Sequence, residues 1–322
     1  MSHPTAILIL PRIRVQNANA LTSPFTWGFP GPPAFGGFVH ALSRKLSVAC
    51  PGVLLGSFAV LSHAFTAQAS GVYEKNFHLS RNPLKADGKL PSTIEEARAH
   101  LTVSLVISLH TSEILDREAV HQAVERLVPA MRIAGGSIVP TEGHFGASYF
   151  PQPIIKNLSK DSTQAQADTR EILSLVRGGF ALVSATGKLA AHHRAMRATH
   201  PETTALLALT DICARTKVLV PAVPPGEDGF PGQPASWEIL RRPGWLVPIP
   251  CGYRAISPLY PAGEIKGARD SEVPHRFCES LLTLGQWISP RRARRLQDLF
   301  WHPAYDETEG LYHFTNHYPQ NP

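Results

Sequence analysis

Arg12, Arg14 and Gln16 alternate with Ile13 and Val15, and Asn17 and Asn19 follow at once. In an extended chain successive side chains point to opposite faces. The two arginines and the glutamine therefore share one face and the apolar pair the other. Such a row of donors suits phosphate oxygens and base edges. The plainer alternative is an edge strand whose charges discourage aggregation. Trp27 and Phe29 stand in the turn-rich loop Ser23–Pro33. They offer flat faces for base stacking or plugs for the core. Lys75, Arg81, Asn82, Lys85, Lys89 and Arg98 make residues 70–98 a positively charged stretch suited to phosphate. Arg132 precedes Ala134-Gly-Gly-Ser137, where missing Cβ atoms let another backbone approach; an ordinary turn is the competing account. Arg291, Arg292, Arg294 and Arg295 follow Ser289-Pro290, which reads as the cap and first residue of a helix. Cations in a first turn oppose the helix dipole, which invites an anionic partner; a solvated face is the alternative.

Catalytic signatures are missing. The sequence has no GxSxG, no HExxH and no dinucleotide fingerprint. The run from Gly179 to Lys188 fails as a phosphate loop, because Leu189 stands where a hydroxyl should reach magnesium. The 15 histidines are scattered; His192-His193 and the pair His313 and His317 are the nearest to a metal set, and no cofactor is implied. Glu95-Glu96 reads as a solvated turn.

Composition narrows the class. With 43% hydrophobic and 17% charged residues the chain is globular, not disordered. The 29 prolines argue for short elements and many loops rather than a long-helix bundle. Between Lys45 and Glu74 no residue is charged, yet Pro51, Gly52, Gly56, His63 and Gln68 interrupt the run, so it reads as strand and not as a membrane span. The first residues show no secretory signal. The four cysteines are far apart, without CxxC, which suits a reducing cytoplasm. Net charge is +6, and it is localised: residues 1–94 hold eight Lys/Arg and two acids, while the rest balances. A basic, acid-poor first third points to a polyanion, or to a surface kept basic for solubility.

The pattern predicts strands over 7–17, 53–69 and 100–110 and helices over 33–46 and from Asp116 to Met131, followed by a short strand at Ile138-Val139. The β-α-β-(arm)-β-α-β order matches a ferredoxin-like, RRM-type α+β domain over 1–150, with a thumb arm inserted at about 70–98. RRM sheets take single-stranded RNA on their open face. Residues 151–322 form an irregular α/β half packed on it, with helices at 187–198, 203–215 and 274–287, strands at 179–184 and 245–249, and a proline-rich linker at 221–236.

Four segments carry a family resemblance. They are Leu10-Pro-Arg-Ile-Arg-Val-Gln-Asn-Ala-Asn-Ala-Leu-Thr-Ser-Pro-Phe-Thr-Trp-Gly-Phe-Pro30, Met131-Arg-Ile-Ala-Gly-Gly-Ser-Ile138, Arg242-Pro-Gly-Trp-Leu-Val-Pro-Ile-Pro-Cys-Gly-Tyr253 and Ser257-Pro-Leu-Tyr-Pro-Ala-Gly-Glu264. Together they resemble the second Csy subunit of type I-F CRISPR surveillance complexes, a Cas-five-type RAMP protein. The resemblance implies a non-catalytic RNA-binding subunit. It would hold the 5′ handle of the crRNA with the large Csy subunit and abut the first backbone Csy subunit. A contact with target DNA near the large subunit is a further expected partner. The runner-up is a RAMP endoribonuclease using a histidine base, since one fold hosts both roles. His40 and His63 are its candidates, although both read as core. A third class is a structural partner with no RNA contact.

Overall fold

The computed structural model describes residues 4–72, 74–81, 84–112, 114–143, 147–159, 162–222, 233–240 and 242–319. Strand β1 (Ala6–Asn19) leads to helix α1 (Pro32–Ala49), strand β2 (Val53–Ala67), strand β3 (Arg98–Thr111) and helix α2 (Arg117–Leu127). A hairpin of β4 (Arg132–Ile133) and β5 (Gly136–Val139) follows. Two prolines open α1, where the missing N–H costs nothing. The Asp116 carboxylate accepts the Ala119 N–H at 3.0 Å and caps α2, as the sequence suggested. The sheet order is β5-β1-β3-β2, all antiparallel.

The second half extends the same sheet. Strand β6 (Ile154–Asn157) pairs with β1. Helix α3 (Ser162–Leu175) precedes strand β7 (Phe180–Ser184), which pairs with β2. Helices α4 (Thr186–Thr199) and α5 (Ala205–Cys213) follow, then strands β8 (Trp245–Ala255), β9 (Cys278–Ile288), β10 (Trp301–Asp306) and β11 (Leu311–Asn316). The result is an 11-stranded sheet in the order β4-β5-β1-β3-β2-β7-β9-β8-β11-β10, with β6 beside β1. The helix expected at 274–287 is strand β9. Its residues from Thr283 to Ile288 are all buried, so the period-2 alternation that marks a half-exposed strand is erased. The helix expected after Ser289-Pro290 is two single turns, Pro290–Arg292 and Leu296–Leu299, so the dipole argument for the arginine cluster falls. Most of the expected 221–236 linker lies outside the described residues.

One face of the sheet is sealed. Phe35, Val39, Leu42 and Leu46 of α1 and Val120 and Val124 of α2 pack on Leu8, Leu10, Ile13, Val15, Val103, Leu105 and Ile107. Gly36 is needed there, because a Cβ would lie 2.1 Å from the Phe314 ring. The opposite face has a smaller cover: Ile172 of α3 and Val176 just past it, with Leu296, Leu299 and Phe300, bury Ile7, Ile9, Ala59, Leu61 and Val106. Half of the face expected to lie open is therefore closed.

Candidate nucleic-acid interface

The cover on the second face ends where β1 turns polar. Arg12 and Gln16 are exposed and Arg14 half-buried. Thr102 and exposed His100 of β3, and exposed Ala64 and Thr66 of β2, continue the patch. Two β-bulges set this geometry. Register slips by one residue between Leu10 and Ile13 and again between Val15 and Ala18. Arg12 (φ 47°) and Asn17 (φ 57°) sit at those slips in the left-handed region. Each bulge resets the parity, so Leu10, Ile13 and Ala18 all point to the sealed side.

The row is held in place by backbone partners. Arg12 Nη2 donates to the Arg177 carbonyl at 3.0 Å, and the Arg12 N–H to Ser104 Oγ at 2.9 Å. Arg14 Nη1 donates to the Pro140 carbonyl at 3.2 Å. Neither guanidinium has a carboxylate partner among the described residues. The Asn17 N–H donates to His100 Nδ1, and Gln68 Nε2 donates to Asn17 Oδ1 at 2.6 Å. Asn19 turns back on its own loop, bonding the N–H and carbonyl of Leu21. His63 lies beside the row, with Nε2 2.7 Å from Ser104 Oγ. Burial, and then the Arg12 charge, push its pKa below the usual histidine value. His40, expected in the core, is exposed on α1.

The other expected residues separate. Trp27 is half-exposed, edge-on to Phe77 at 5.1 Å. Phe29 packs against Phe35, Phe65 and Trp287 as part of the sealed core. Residues 69–95 form two short antiparallel ladders, Ala69–Ser70 with Asn76–Phe77 and Leu79–Arg81 with Thr93–Glu95. They leave the sheet after β2 and re-enter at β3, beside Asn17, Gln68 and His100. Lys75, Lys85 and Lys89 are exposed there; Arg81 closes its strand and Asn82 lies outside the described residues. Arg98 is committed to Glu96 at 2.8 Å, and the Ser80 hydroxyl and Arg98 hold the Glu96 pKa below its ordinary value. Arg132 is exposed and bonds the Gly135 carbonyl across its turn. At the start of β5 Gly136 is needed for close approach to β1, since a Cβ would stand 2.7 Å from the Gln16 carbonyl.

Sequence reasoning missed His100, Gln68 and Arg177 as neighbours of the row. His100 carried a usable signal: it shares parity with Thr102 and Ser104, opposite the apolar residues of its strand.

The fold defines a mixed α/β protein built on a large antiparallel sheet, whose β1 carries Arg12, Arg14 and Gln16 as a row of donors. Residues 8–314 match the family described as CRISPR-associated protein (Cas_Csy2). The chain is 42% identical over 322 residues to the CRISPR-associated protein Csy2 of Pseudomonas aeruginosa (strain UCBPP-PA14), covering 98% of this chain and 96% of that protein. The chain belongs to this Csy2 family of CRISPR-associated proteins. Among the described residues no group of three His, Cys, Asp or Glu could hold a metal, and no helix is long and apolar enough to cross a membrane.

Proposed function

We propose that this protein is a non-catalytic RNA-binding subunit of a type I-F CRISPR surveillance complex in antiviral defence. It holds the 5′ handle of the crRNA together with the large Csy subunit, adjoins the backbone Csy subunit, and contacts target DNA near the large subunit. The carrying observation is the row Arg12, Arg14 and Gln16, laid by two bulges on the half of the sheet that no helix among the described residues covers. The β-α-β-β-α-β order and the β5-β1-β3-β2 arrangement support a ferredoxin-like RAMP domain over 1–150, with residues 151–322 packed on it. The ladders at 69–95 are its thumb, whose exposed lysines close on RNA.

The experiment incubates the purified protein with labelled CRISPR-repeat RNA and scores retention and cleavage together. Retention without cleavage is expected. Arg12→Ala with Arg14→Ala should lower the salt slope of log K by about 0.7 for each lost single-strand phosphate contact. Unchanged affinity and slope would reduce the row to a solvated edge, and cleavage would favour the endoribonuclease, with His63 as its base. Amides of 74–96 should gain hydrogen-exchange protection on RNA; protection already present without RNA would mean a packed structural hairpin.

A further inference from the structure

Helix α3 segregates its charges. Asp168 accepts the Ser159 N–H at 2.9 Å and Glu171 pairs with Lys156, so both acids are engaged on the side of β6. Gln166, Arg170 and Ser174 share another side at helical spacing, and with Arg177 in the turn just past the helix they line a cleft of about 940 Å³. Its far wall is the turn carrying Arg291 and Arg294. Four arginines thus face one cleft, and no carboxylate lines it. None of the four is in an ion pair among the described residues. Arg294 also borders a second cavity of about 350 Å³, shared with Lys188 and Arg292.

Like charges converge on one cleft at an electrostatic cost unless an anion occupies it. Guanidinium groups match phosphate oxygens in a two-pronged geometry. Phe180 lines the cleft at 47% exposure and stands edge-on to half-exposed Trp245, with ring centroids 5.3 Å apart. Cations along a groove with an exposed ring at its wall are the combination that binds single strands. The cleft also joins the sheet row directly, because Arg12 donates to the carbonyl of Arg177.

We propose that the cleft between α3 and the Ser289–Arg294 turn holds the sugar–phosphate backbone of a single-stranded nucleic acid, continuing from the Arg12–Gln16 row. This rests on the RNA-binding reading above and names a second site for it. An acidic segment of a partner protein is the competing occupant. The continuity with the row and the exposed ring favour the nucleic acid.

The test uses the full chain with Arg170→Gln, Arg291→Gln and Arg294→Gln together, against labelled single-stranded RNA and single-stranded DNA of repeat sequence. These side chains are exposed, so the melting temperature should be unchanged. Each lost contact removes about 0.7 from the salt slope, which is roughly a hundredfold in affinity for three contacts at 0.1 M salt. That loss supports the proposal on either strand, and the larger loss tells which source fills the cleft. Unchanged affinity and slope for both strands, with loss of co-purifying Csy subunits, overturns it in favour of protein. Photocrosslinking on the unaltered chain is independent of any folding defect. Crosslinks should map to peptides spanning 166–180 and 289–294; crosslinks confined to β1 and the ladders would overturn the cleft and leave the row standing.

Discussion

The two faces of the β1–β3–β2 sheet start alike and end differently. At one end both are apolar: Leu8 and Leu10 meet α1 and α2, while Ile7 and Ile9 meet the cover around α3. Past the first bulge the sealed face stays apolar through Ile13, Val15 and Ala18. The other face turns to Arg12, Arg14 and Gln16 and loses its cover. One strand is thus used twice, as a core element buried on both sides and as a donor row with a rigid back. Side chains that must meet a ligand in fixed geometry are best placed on such an element rather than on a loop.

The widest separation between the faces should come from neighbours one residue apart. Ile13→Ala removes side-chain volume from the sealed core and should cost about 2–5 kcal/mol of stability. Arg14→Ala trims a half-buried side chain whose bond to the Pro140 carbonyl is exposed, and should cost about 1 kcal/mol or less, while lowering the salt slope of RNA binding by about 0.7. Denaturant melts and RNA titrations on both variants check this. Equal destabilisation would show that Arg14 is a structural clamp on the Pro140 carbonyl.

Much of this was legible in advance because one-sided burial writes itself into the sequence. Leu101, Val103, Leu105, Ile107 and Leu109 share a parity, and all five are in the sealed core. Asp116 announced a cap and delivered one. Three things were hidden. Strand β9 is buried on both faces from Thr283 to Ile288, so that half carries no alternation to read. The bulges only shift parity, and a local reading around Ile13 cannot see that Leu10 points the same way. The cleft joins Arg170 and Arg177 to Arg291 and Arg294, which only tertiary packing brings together. Phe29 went to the core because Phe35 and Trp287 offered it apolar walls on the sealed side.

A smaller effect should come from Arg12 itself. Its φ of 47° costs an ordinary L-residue about 1–2 kcal/mol. Arg12→Gly should therefore leave stability unchanged or raised, despite loss of the exposed bond to the Arg177 carbonyl. Arg12→Val, β-branched at the same bulge, should lower it. RNA affinity should fall in both. An arginine kept where glycine is more stable is the mark of a residue retained for binding. If Arg12→Gly is markedly less stable, the side chain is a structural tie and the strain argument fails.

The finest test of the open face is the titration of His63. Its folded pKa lies below the unfolded value of 6.5, chiefly through burial and then through the Arg12 charge. His110 and His302 are lowered too, again mainly by burial. A group depressed in the folded state binds protons preferentially when unfolded, so stability is full above pH 6.5 and declines as the pH falls from there toward the folded pKa. The melting temperature should be level above neutrality and drop in mild acid. His63→Gln should make that drop shallower. The same imidazole reports on the ligand. Phosphates against Arg12 offset the charge that helps hold His63 neutral, so RNA should raise the His63 pKa while leaving that of His110, on the neighbouring strand β3 and beyond the polar patch, where it was. Imidazole proton titrations with and without RNA read both values. A His63 pKa indifferent to bound RNA would place the phosphates away from Arg12 and separate the row from the cleft it adjoins.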